Sequence, residues 1–179
     1  AHAYYATDSD LALIREKGVG IAHCSKTYVK FGDLGDFLPR ALAAGAKVGL
    51  GTDGPASNNT LGIFEQARWA ALMAKSARRD ARAARIGEVL PLVHAGGEVL
   101  GLPGYGRIEE GSLADLVLID PRTPSMLPGH DVFADILYSL GERNVHTVIV
   151  DGKVLVQDGK LLHIDVSELA RRASRITSR

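Results

Sequence analysis

Residues 47–54 read Lys-Val-Gly-Leu-Gly-Thr-Asp-Gly, a short apolar run that ends on the carboxylate Asp53. The same arrangement occurs earlier in the chain, where residues 19–23 read Val-Gly-Ile-Ala-His and end on His23. Short apolar runs bounded by turn residues predict buried β-strands, here over 19–23 and 47–52. Because helical patterns stand between and around these strands, the sequence predicts an α/β architecture with a parallel sheet.

The helices of this first part are marked by caps, breakers and apolar spacing. Thr7 or Asp8 caps a helix over 8–17 that stops at Gly18, and Pro39 opens a helix that stops at Gly45. From Thr60 onward, apolar side chains recur at helical spacing and predict a longer amphipathic helix. A further helical region over 86–100 contains a proline and a Gly-Gly pair, so we expect it to bend or break.

The pattern changes after Leu102, and we place a domain boundary near Pro103. Asp151-Gly152 predicts a tight hairpin between strands over 145–150 and 154–157, with further strands over 114–119 and 161–164. A basic helix from Ser167 closes the chain. The predicted domains are therefore 1–103, a mostly β portion over 104–165, and a C-terminal helix over 166–179.

Composition limits the class of protein. The 179 residues include 21 Lys and Arg against 21 Asp and Glu, so there is no formal net charge to attract nucleic acid or an acidic membrane. The lone cysteine cannot form an internal disulfide, and no apolar run is long enough to cross a bilayer. We therefore expect a cytoplasmic globular protein that binds neither nucleic acid nor membranes.

Three ionisable side chains stand at predicted strand ends: His2, His23 and Asp53. In α/β barrels and open parallel sheets, chemistry is located where the strands end at their carboxyl edge. Two imidazoles and a carboxylate suit a zinc-type site, since zinc takes nitrogen and oxygen ligands. They suit acid–base catalysis equally, because histidine titrates near neutrality.

Two other motifs carry competing interpretations. Residues 49–54 match the G-x-G-x-x-G fingerprint of dinucleotide-binding proteins, yet Asp53 would place a negative charge beside the pyrophosphate. The acidic residue expected about 20 positions later is also absent. Cys24, next to His23, suggests a thiol nucleophile, but neighbouring side chains on a strand point to opposite faces.

Several segments together resemble the amidohydrolase superfamily, and in particular its metal-dependent deaminases and chlorohydrolases. The resemblance rests on Ala1-His2, on residues 19–24, and on the run Gly-Thr-Asp-Gly-Pro-Ala-Ser-Asn-Asn over 51–59. Residues 106–120 and 148–153 are similar to the accessory β-sandwich of that branch. The similarity extends through nearly the whole chain in the same order.

The resemblance implies the C-terminal part of a (β/α)8 TIM-type barrel, comprising strands 6–8, followed by part of the β-sandwich. It implies one divalent metal ion at the barrel mouth. The donor set favours zinc, although iron, manganese and cobalt fit it nearly as well. The implied activity is the hydrolytic deamination of a purine, pterin or adenosine-type heterocycle by a metal-activated water. A chlorohydrolase acting on a triazine-like ring is the alternative, as is a non-catalytic member that has lost its metal site.

By the same resemblance, Asp53 matches a metal ligand that also accepts a proton from the attacking water. His2 matches a histidine that contacts this water and binds the metal in some members. His23 matches a histidine that supports the site from behind or contacts substrate. Ser25 and Thr27-Tyr28 depart from the Pro and Ser-Asn of the family, which leaves the choice of substrate open.

The branch also requires a His-x-His pair and further ligands that this sequence lacks. Three barrel strands cannot close a barrel and would expose unpaired edges. We therefore expect this chain to pack against a missing N-terminal half of the same enzyme and to be inactive alone. The sequence leaves homo-oligomerisation open.

Overall fold

The structure is a computed structural model that describes residues 1–33, 35–102 and 104–177. Its first part alternates helices with two strands. These elements are α1 (Asp8–Glu16), β1 (Gly20–His23), α2 (Ser25–Lys30), α3 (Phe37–Ala43), β2 (Lys47–Leu50), α4 (Pro55–Asn58), α5 (Ile63–Arg78), α6 (Ile86–Val89), α7 (Pro91–His94) and α8 (Gly96–Leu100).

The two strands lie side by side and run parallel. Gly20 pairs with Lys47 and His23 pairs with Leu50, so the carboxyl ends of both strands meet at one edge. Ile21, Val48 and Leu50 are buried in the main core. Helices α1, α3, α5, α6 and α7 supply further buried members of that core, including Leu11, Phe37, Leu38, Ala70, Val89 and Leu92. Burying apolar side chains against both strands fixes the edge at which the predicted site residues gather.

Helix α8 lies very close to the sheet because glycines stand on the strands beneath it. A Cβ atom built on Gly20 would come within 2.6 Å of the carbonyl oxygen of Val99 and within 2.7 Å of its Cα. Gly49 on β2 likewise faces Val99 and the backbone of Ala95. Glycine in a strand often marks such a close approach of another backbone.

We expect Gly20→Ala to destabilise the protein by about 1–3 kcal/mol, because the added methyl group meets backbone atoms that cannot rotate away. Urea unfolding would measure this loss. Gly87→Ala is the matched control: Gly87 lies in α6, and a methyl group added there would have nothing within 4 Å. Alanine is the better helix former, so this control should be neutral or slightly stabilising. Equal unfolding midpoints for both variants would contradict the close-packing argument.

Within the described residues, the second part of the chain is one antiparallel sheet, with a helical segment between its first two strands and one helix after it. The strand order is β3-β4-β5-β6. The elements are β3 (Leu116–Ile119), α9 (Val132–Ala134), a π-helical turn (Asp135–Ser139), a 3₁₀ turn (Glu142–Asn144), β4 (Val145–Val150), β5 (Lys153–Gln157), β6 (Lys160–Leu161) and α10 (Val166–Thr177).

Two contacts explain the layout of this second part. Asp151 and Gly152 both have positive φ, as the two central residues of a type I′ hairpin require, and they join β4 to β5 as the sequence predicts. Arg68 on α5 donates hydrogen bonds to the carbonyl oxygens of Leu137 (3.1 Å) and Leu140 (2.5 Å). Leu137 is fully buried, so this helical segment is tied to the core of the first part.

The structure corrects several details of the sequence prediction. Within the described residues the first part has two strands rather than three: Ala1 and His2 form no strand and have one backbone bond to β1. One backbone hydrogen bond is too few to form a β-ladder between two strands. The region over 86–100 is broken into three short helices, as predicted, whereas α2, α4 and α9 were not predicted. Strand β6 ends at Leu161 rather than at 164.

The predicted domain boundary at Pro103 lies outside the described residues. The β portion forms one sheet in the part of the chain that the structure describes, and the β-sandwich remains a prediction. In that same part, none of the helices combines the length and apolarity needed to cross a bilayer.

Candidate active site

The edge where β1 and β2 end brings two of the three predicted site residues face to face. The His2 backbone N–H donates to the carbonyl oxygen of Ala22 at 3.0 Å, which fixes His2 beside the end of β1. Asp53 follows β2 by three residues. The His2 Nε2 and Asp53 Oδ2 atoms are 3.9 Å apart, and the two side chains are 42% and 27% exposed. A ligand in solution can therefore reach both groups.

Asp53 is held ionised by the turn in which it lies. Its backbone has φ 60°, a left-handed conformation that aspartate tolerates better than most residues. The Gly54 N–H donates to Asp53 Oδ1 at 2.8 Å. The Ser57 hydroxyl, first, and this Gly54 N–H, second, hold the pKa of Asp53 below its usual value. The carboxylate is thus a negatively charged acceptor at neutral pH.

His2 stands on an unusual piece of backbone. His2 has φ 72° and Ala3 has φ 57°, two consecutive non-glycine residues in the left-handed region. Each such residue costs about 1–3 kcal/mol and persists only where the surrounding structure enforces it. Residues of this kind cluster at functional sites. The strain therefore agrees with a site at this edge.

His23 occupies a different environment from His2. Its side chain is fully buried, and neither ring nitrogen has a hydrogen-bond partner within the described residues. Burial, followed by the charge of His2, lowers the pKa of His23 to about 4, so the ring is neutral. The ring stacks on Phe37 with 5.6 Å between centroids. Of the two roles predicted for His23, this burial favours support from behind over contact with substrate.

A cavity of about 760 Å³ opens beside His2 and Asp53. Four aromatic side chains line it: Tyr4, Tyr5, Tyr28 and Phe31. The other lining residues are His2, Ala3, Ala6, Asp10, Thr27, Asp33 and Asp53. Aromatic walls beside a few polar groups are typical of sites that bind a planar small molecule.

The sequence analysis did not assign Tyr4, Tyr28 or Phe31 to the site. The only signal was the departure of Thr27-Tyr28 from the family pattern. Thr27 and Tyr28 are each more than nine-tenths buried, and the hydroxyl group of neither residue has a hydrogen-bond partner within the described residues. Two such hydroxyl groups on the wall of a cavity are unusual, since buried polar groups are normally paired.

Helix α2, which carries Thr27 and Tyr28, is fastened to the segment that follows Asp53. Lys26 Nζ donates to Thr60 Oγ1 and to Glu65 Oε1, both at 2.9 Å. Lys30 Nζ donates to Asn59 Oδ1 at 2.7 Å. Helix α2 and the Asp53 turn therefore hold a fixed relation to one another, and the cavity between them keeps its shape.

Cys24 has the opposite character from a catalytic thiol. It is 2% exposed, and burial, with a smaller contribution from the charge of Asp53, raises the pKa of its thiol. A reactive cysteine needs a lowered pKa and access to substrate. The thiol-nucleophile interpretation is not supported.

His2 and Asp53 carry donor atoms of the types that a divalent metal ion takes. Imidazole nitrogen and carboxylate oxygen are zinc ligands with bonds of about 2.0–2.2 Å, so a tetrahedral ion holds two such atoms about 3.4 Å apart. The 3.9 Å separation of His2 Nε2 and Asp53 Oδ2 is wider than that, so the donor types fit zinc while the spacing leaves room for a water between the two side chains. No set of three or more His, Cys, Asp or Glu side chains suited to a metal occurs in the described ranges. A catalytic zinc commonly takes three protein ligands, so this chain offers part of a ligand set.

Parallel strands with ionisable side chains at their carboxyl ends, next to a cavity, define the class of α/β proteins with a strand-end site. Within this class, the model of the amidohydrolase family matches residues 1–155. The chain belongs to the amidohydrolase family.

Known proteins that resemble the chain include deaminases and a chlorohydrolase. A 5-methylthioadenosine/S-adenosylhomocysteine deaminase of Pelotomaculum thermopropionicum is 38% identical over 184 residues, which cover all of this chain and 42% of the relative. A deaminase of the same name from Desulforudis audaxviator is 39% identical over 181 residues, with the same coverage. The chain thus spans about two fifths of the length of these curated relatives.

Two solved structures share the mixed α/β fold. An adenosine deaminase from Xanthomonas campestris with bound zinc has a TM-score of 0.91 and 31% identity over 97% of this chain and 40% of its own. The atrazine chlorohydrolase of Arthrobacter aurescens complexed with zinc has a TM-score of 0.89 and 26% identity over 97% of this chain and 39% of its own. The resemblance inferred from the sequence motifs is confirmed.

Proposed function

We propose that this chain is the C-terminal portion of a zinc-dependent deaminase that hydrolyses the amino group from an adenosine-type heterocycle. In this proposal β1 and β2 belong to a (β/α)8 barrel, residues 104–165 to a β-sandwich, and the missing ligands to an N-terminal half. The observation that carries the proposal is the 3.9 Å approach of His2 and Asp53 at the strand-end edge, beside an aromatic cavity. The deaminase names of the relatives support the substrate class.

Asp53 and His2 would each contribute a defined step to hydrolytic deamination. The ionised Asp53 carboxylate accepts a proton from the attacking water and then delivers it to the leaving amino group, which departs as ammonia. His2 faces the same point and donates a hydrogen bond to negative charge that develops on the ring of the substrate. A zinc ion held by Asp53 and further ligands would supply the Lewis acid that makes water nucleophilic near neutral pH.

The aromatic wall would hold the substrate ring against these two groups. Tyr4, Tyr28 and Phe31 line the same cavity as Asp53. Planar heterocycles stack on aromatic side chains at centroid distances of about 4.5–7 Å. Such stacking orients the ring so that the carbon bearing the amino group lies toward His2 and Asp53, which is the positioning that the reaction requires.

A chlorohydrolase is the second candidate, because the atrazine chlorohydrolase has a TM-score of 0.89 to this chain. The same residues would then activate water against a carbon that bears chlorine, and the leaving group would be chloride instead of ammonia. Leaving-group identity therefore separates the two candidates.

The test is a screen of the complete protein for ammonia release from adenosine analogues, purines and pterins, with chloride release from chlorotriazines measured in parallel. We expect ammonia from adenosine-type compounds, loss of turnover on chelation, and recovery when zinc is restored. Chloride release without ammonia release would favour the chlorohydrolase. If zinc-loaded protein releases neither product, the chain belongs instead to a non-catalytic member of the family.

A further inference from the structure

The cavity beside His2 and Asp53 has a second polar end, formed by Asp33 and Tyr5. The Tyr5 hydroxyl donates to Asp33 Oδ2 at 2.9 Å, and both residues line the cavity. Phe31, two residues before Asp33, lines it as well. Tyr5 is 80% exposed and Phe31 is 69% exposed, so two aromatic rings are open to solvent here. Exposed apolar side chains gathered at one place on a surface commonly mark a binding groove.

A row of aromatic rings connects the two ends of the cavity. The ring centroid of Tyr28 lies 5.8 Å from that of His2 and 4.3 Å from that of Tyr4. Tyr4 contacts Tyr5 edge to face, with 5.2 Å between centroids. Tyr5 in turn binds Asp33 through its hydroxyl. A flat ligand that lies along this row therefore has His2 at one end and Asp33 at the other.

The charges on the cavity wall are negative. Three carboxylates line the cavity, those of Asp10, Asp33 and Asp53, and within the described residues no Lys or Arg side chain does so. Asp10 is committed to capping α1, because its Oδ2 accepts both the N–H and the hydroxyl of Thr7. Asp33 accepts one hydrogen bond in the described part of the chain. A carboxylate offers about four acceptor positions, so Asp33 can accept further hydrogen bonds from a ligand.

Buried hydroxyl groups on the same wall also lack partners. Thr27 and Tyr28 line the cavity and are more than nine-tenths buried, and their hydroxyl groups are unpaired within the described residues. Buried polar groups are normally paired. The unpaired hydroxyl groups therefore favour an occupant that carries hydrogen-bonding groups along its length, as a nucleoside does.

We propose that Asp33 is a specificity-determining residue that binds an ammonium group at the far end of an adenosine-type substrate. With the amino-bearing ring at His2 and Asp53, the sugar and its 5′ substituent extend along the aromatic row toward Asp33. A carboxylate there attracts an ammonium group and repels a phosphate. The cavity should therefore prefer nucleosides with a cationic 5′ substituent and reject nucleotides. This inference rests on the proposed function for the identity of the substrate ring.

The test compares adenosine, 5′-amino-5′-deoxyadenosine and adenosine 5′-monophosphate as substrates of the complete, zinc-loaded protein. For the wild type we expect kcat/KM to be highest for the amino compound and lowest for the monophosphate. Asp33→Asn should lower kcat/KM for the amino compound by about 10-fold or more, the range for a hydrogen bond to a charged group, and change that for adenosine much less. Asp33→Lys should raise kcat/KM for the monophosphate by about 10-fold or more, because a like-charge contact is replaced by an attractive one.

Asp36→Asn is the matched control, because Asp36 pairs with Arg78 at 3.3 Å and does not line the cavity. It should leave the order of the three substrates and their ratios unchanged. An unchanged ratio of amino compound to adenosine in Asp33→Asn overturns the role of Asp33. The same shift of that ratio in Asp36→Asn overturns it too, since the effect would then be one of general charge.

Equilibrium binding separates this inference from the proposed function. Inosine and 5′-amino-5′-deoxyinosine have no amino group on the ring, so both can be titrated without turnover. We expect Asp33→Asn to weaken binding of the amino compound by about 10-fold or more and to spare inosine. Wild-type protein with this binding pattern that releases no ammonia overturns only the proposed function. Wild-type protein that deaminates adenosine without preferring the amino compound overturns only the role of Asp33, and protein that neither binds nor deaminates these compounds overturns both.

Discussion

Asp53→Asn should lower kcat of the complete protein in the proposed deamination by about 10³–10⁴-fold, the upper range for removal of an acid–base group. Asparagine has the size and shape of aspartate and tolerates the left-handed φ of 60° found at this position. Its carbonyl oxygen can still accept the Gly54 N–H that Asp53 accepts at 2.8 Å. The substitution therefore removes the charge and the proton acceptor while the turn is retained.

The measurement is the steady-state rate of ammonia release by zinc-loaded wild type and variant, with zinc content determined for both. Asp36→Asn is the control for the loss of a carboxylate. Asp36 forms an ion pair with Arg78 at 3.3 Å and does not line the cavity. We expect this control to retain wild-type kcat, because an exposed ion pair contributes at most about 1 kcal/mol to stability. Normal turnover by zinc-loaded Asp53→Asn would refute the proton-transfer role of Asp53.

Local sequence signals predicted much of the fold. The Thr7 hydroxyl accepts a hydrogen bond from the Asp10 N–H, and the Asp10 carboxylate accepts one from the Thr7 N–H. This reciprocal pair is a capping box, which can be recognised in the sequence as the start of a helix. The hairpin at Asp151-Gly152 was equally readable, because positive φ at both positions restricts which residues can stand there. Both features depend on neighbours in the sequence, so a pattern of a few residues is enough to locate them.

The unpredicted elements depend on contacts distant in sequence. Helix α2 begins at Ser25 without a side-chain cap, and its Lys26 N–H is bound instead by Gln66 on α5 at 3.1 Å. Helix α4 has only four residues before the chain turns at Asn59, which has φ 78°. A helix this short shows no periodic pattern of apolar residues in the sequence. The segment from Val132 to Ser139 has Asp131 as its cap but is tied to the core by Arg68. A short stretch of sequence cannot indicate a hydrogen-bond partner that lies 40 or 69 residues away.

The same distinction explains the site. The place of Asp53 could be predicted because the strand ends of a parallel sheet meet at one edge, so position along the chain implies position in space. His2 lies at the same edge through its backbone bond to Ala22, although the strand predicted before it is not formed in the described residues. The burial of His23 could not be predicted, because it results from packing against Phe37 and Tyr28. The aromatic wall was also missed, since Tyr4 is distant in sequence from Tyr28 and Phe31, which belong to a helix that the sequence did not predict. The sequence therefore predicted the ionisable side chains at this edge, and the structure adds the aromatic side chains that lie beside them.

His2→Asn should lower kcat of the complete protein in the proposed deamination by about 10²–10³-fold, within the range for loss of an acid–base or hydrogen-bonding group. Asparagine accepts the left-handed backbone at φ 72°, so the bond from the residue 2 N–H to Ala22 should remain. The shorter side chain loses both the approach to Asp53 and the ring contact with Tyr28. The measurement is kcat for ammonia release at saturating substrate, with zinc affinity measured by chelator competition.

His146→Asn is the matched control, because His146 forms another histidine–aspartate pair, with Asp158 at 2.9 Å, on the antiparallel sheet away from the cavity. Its loss should leave kcat unchanged. Combining His2→Asn with Asp53→Asn gives the sharper result, since groups that act in one step are strongly non-additive. We expect the double variant to be slower than Asp53→Asn by less than about 10-fold, much less than the single effect of His2→Asn. Fully multiplicative losses would mean that His2 and Asp53 act independently, and the 3.9 Å approach at the strand edge would then have no catalytic meaning.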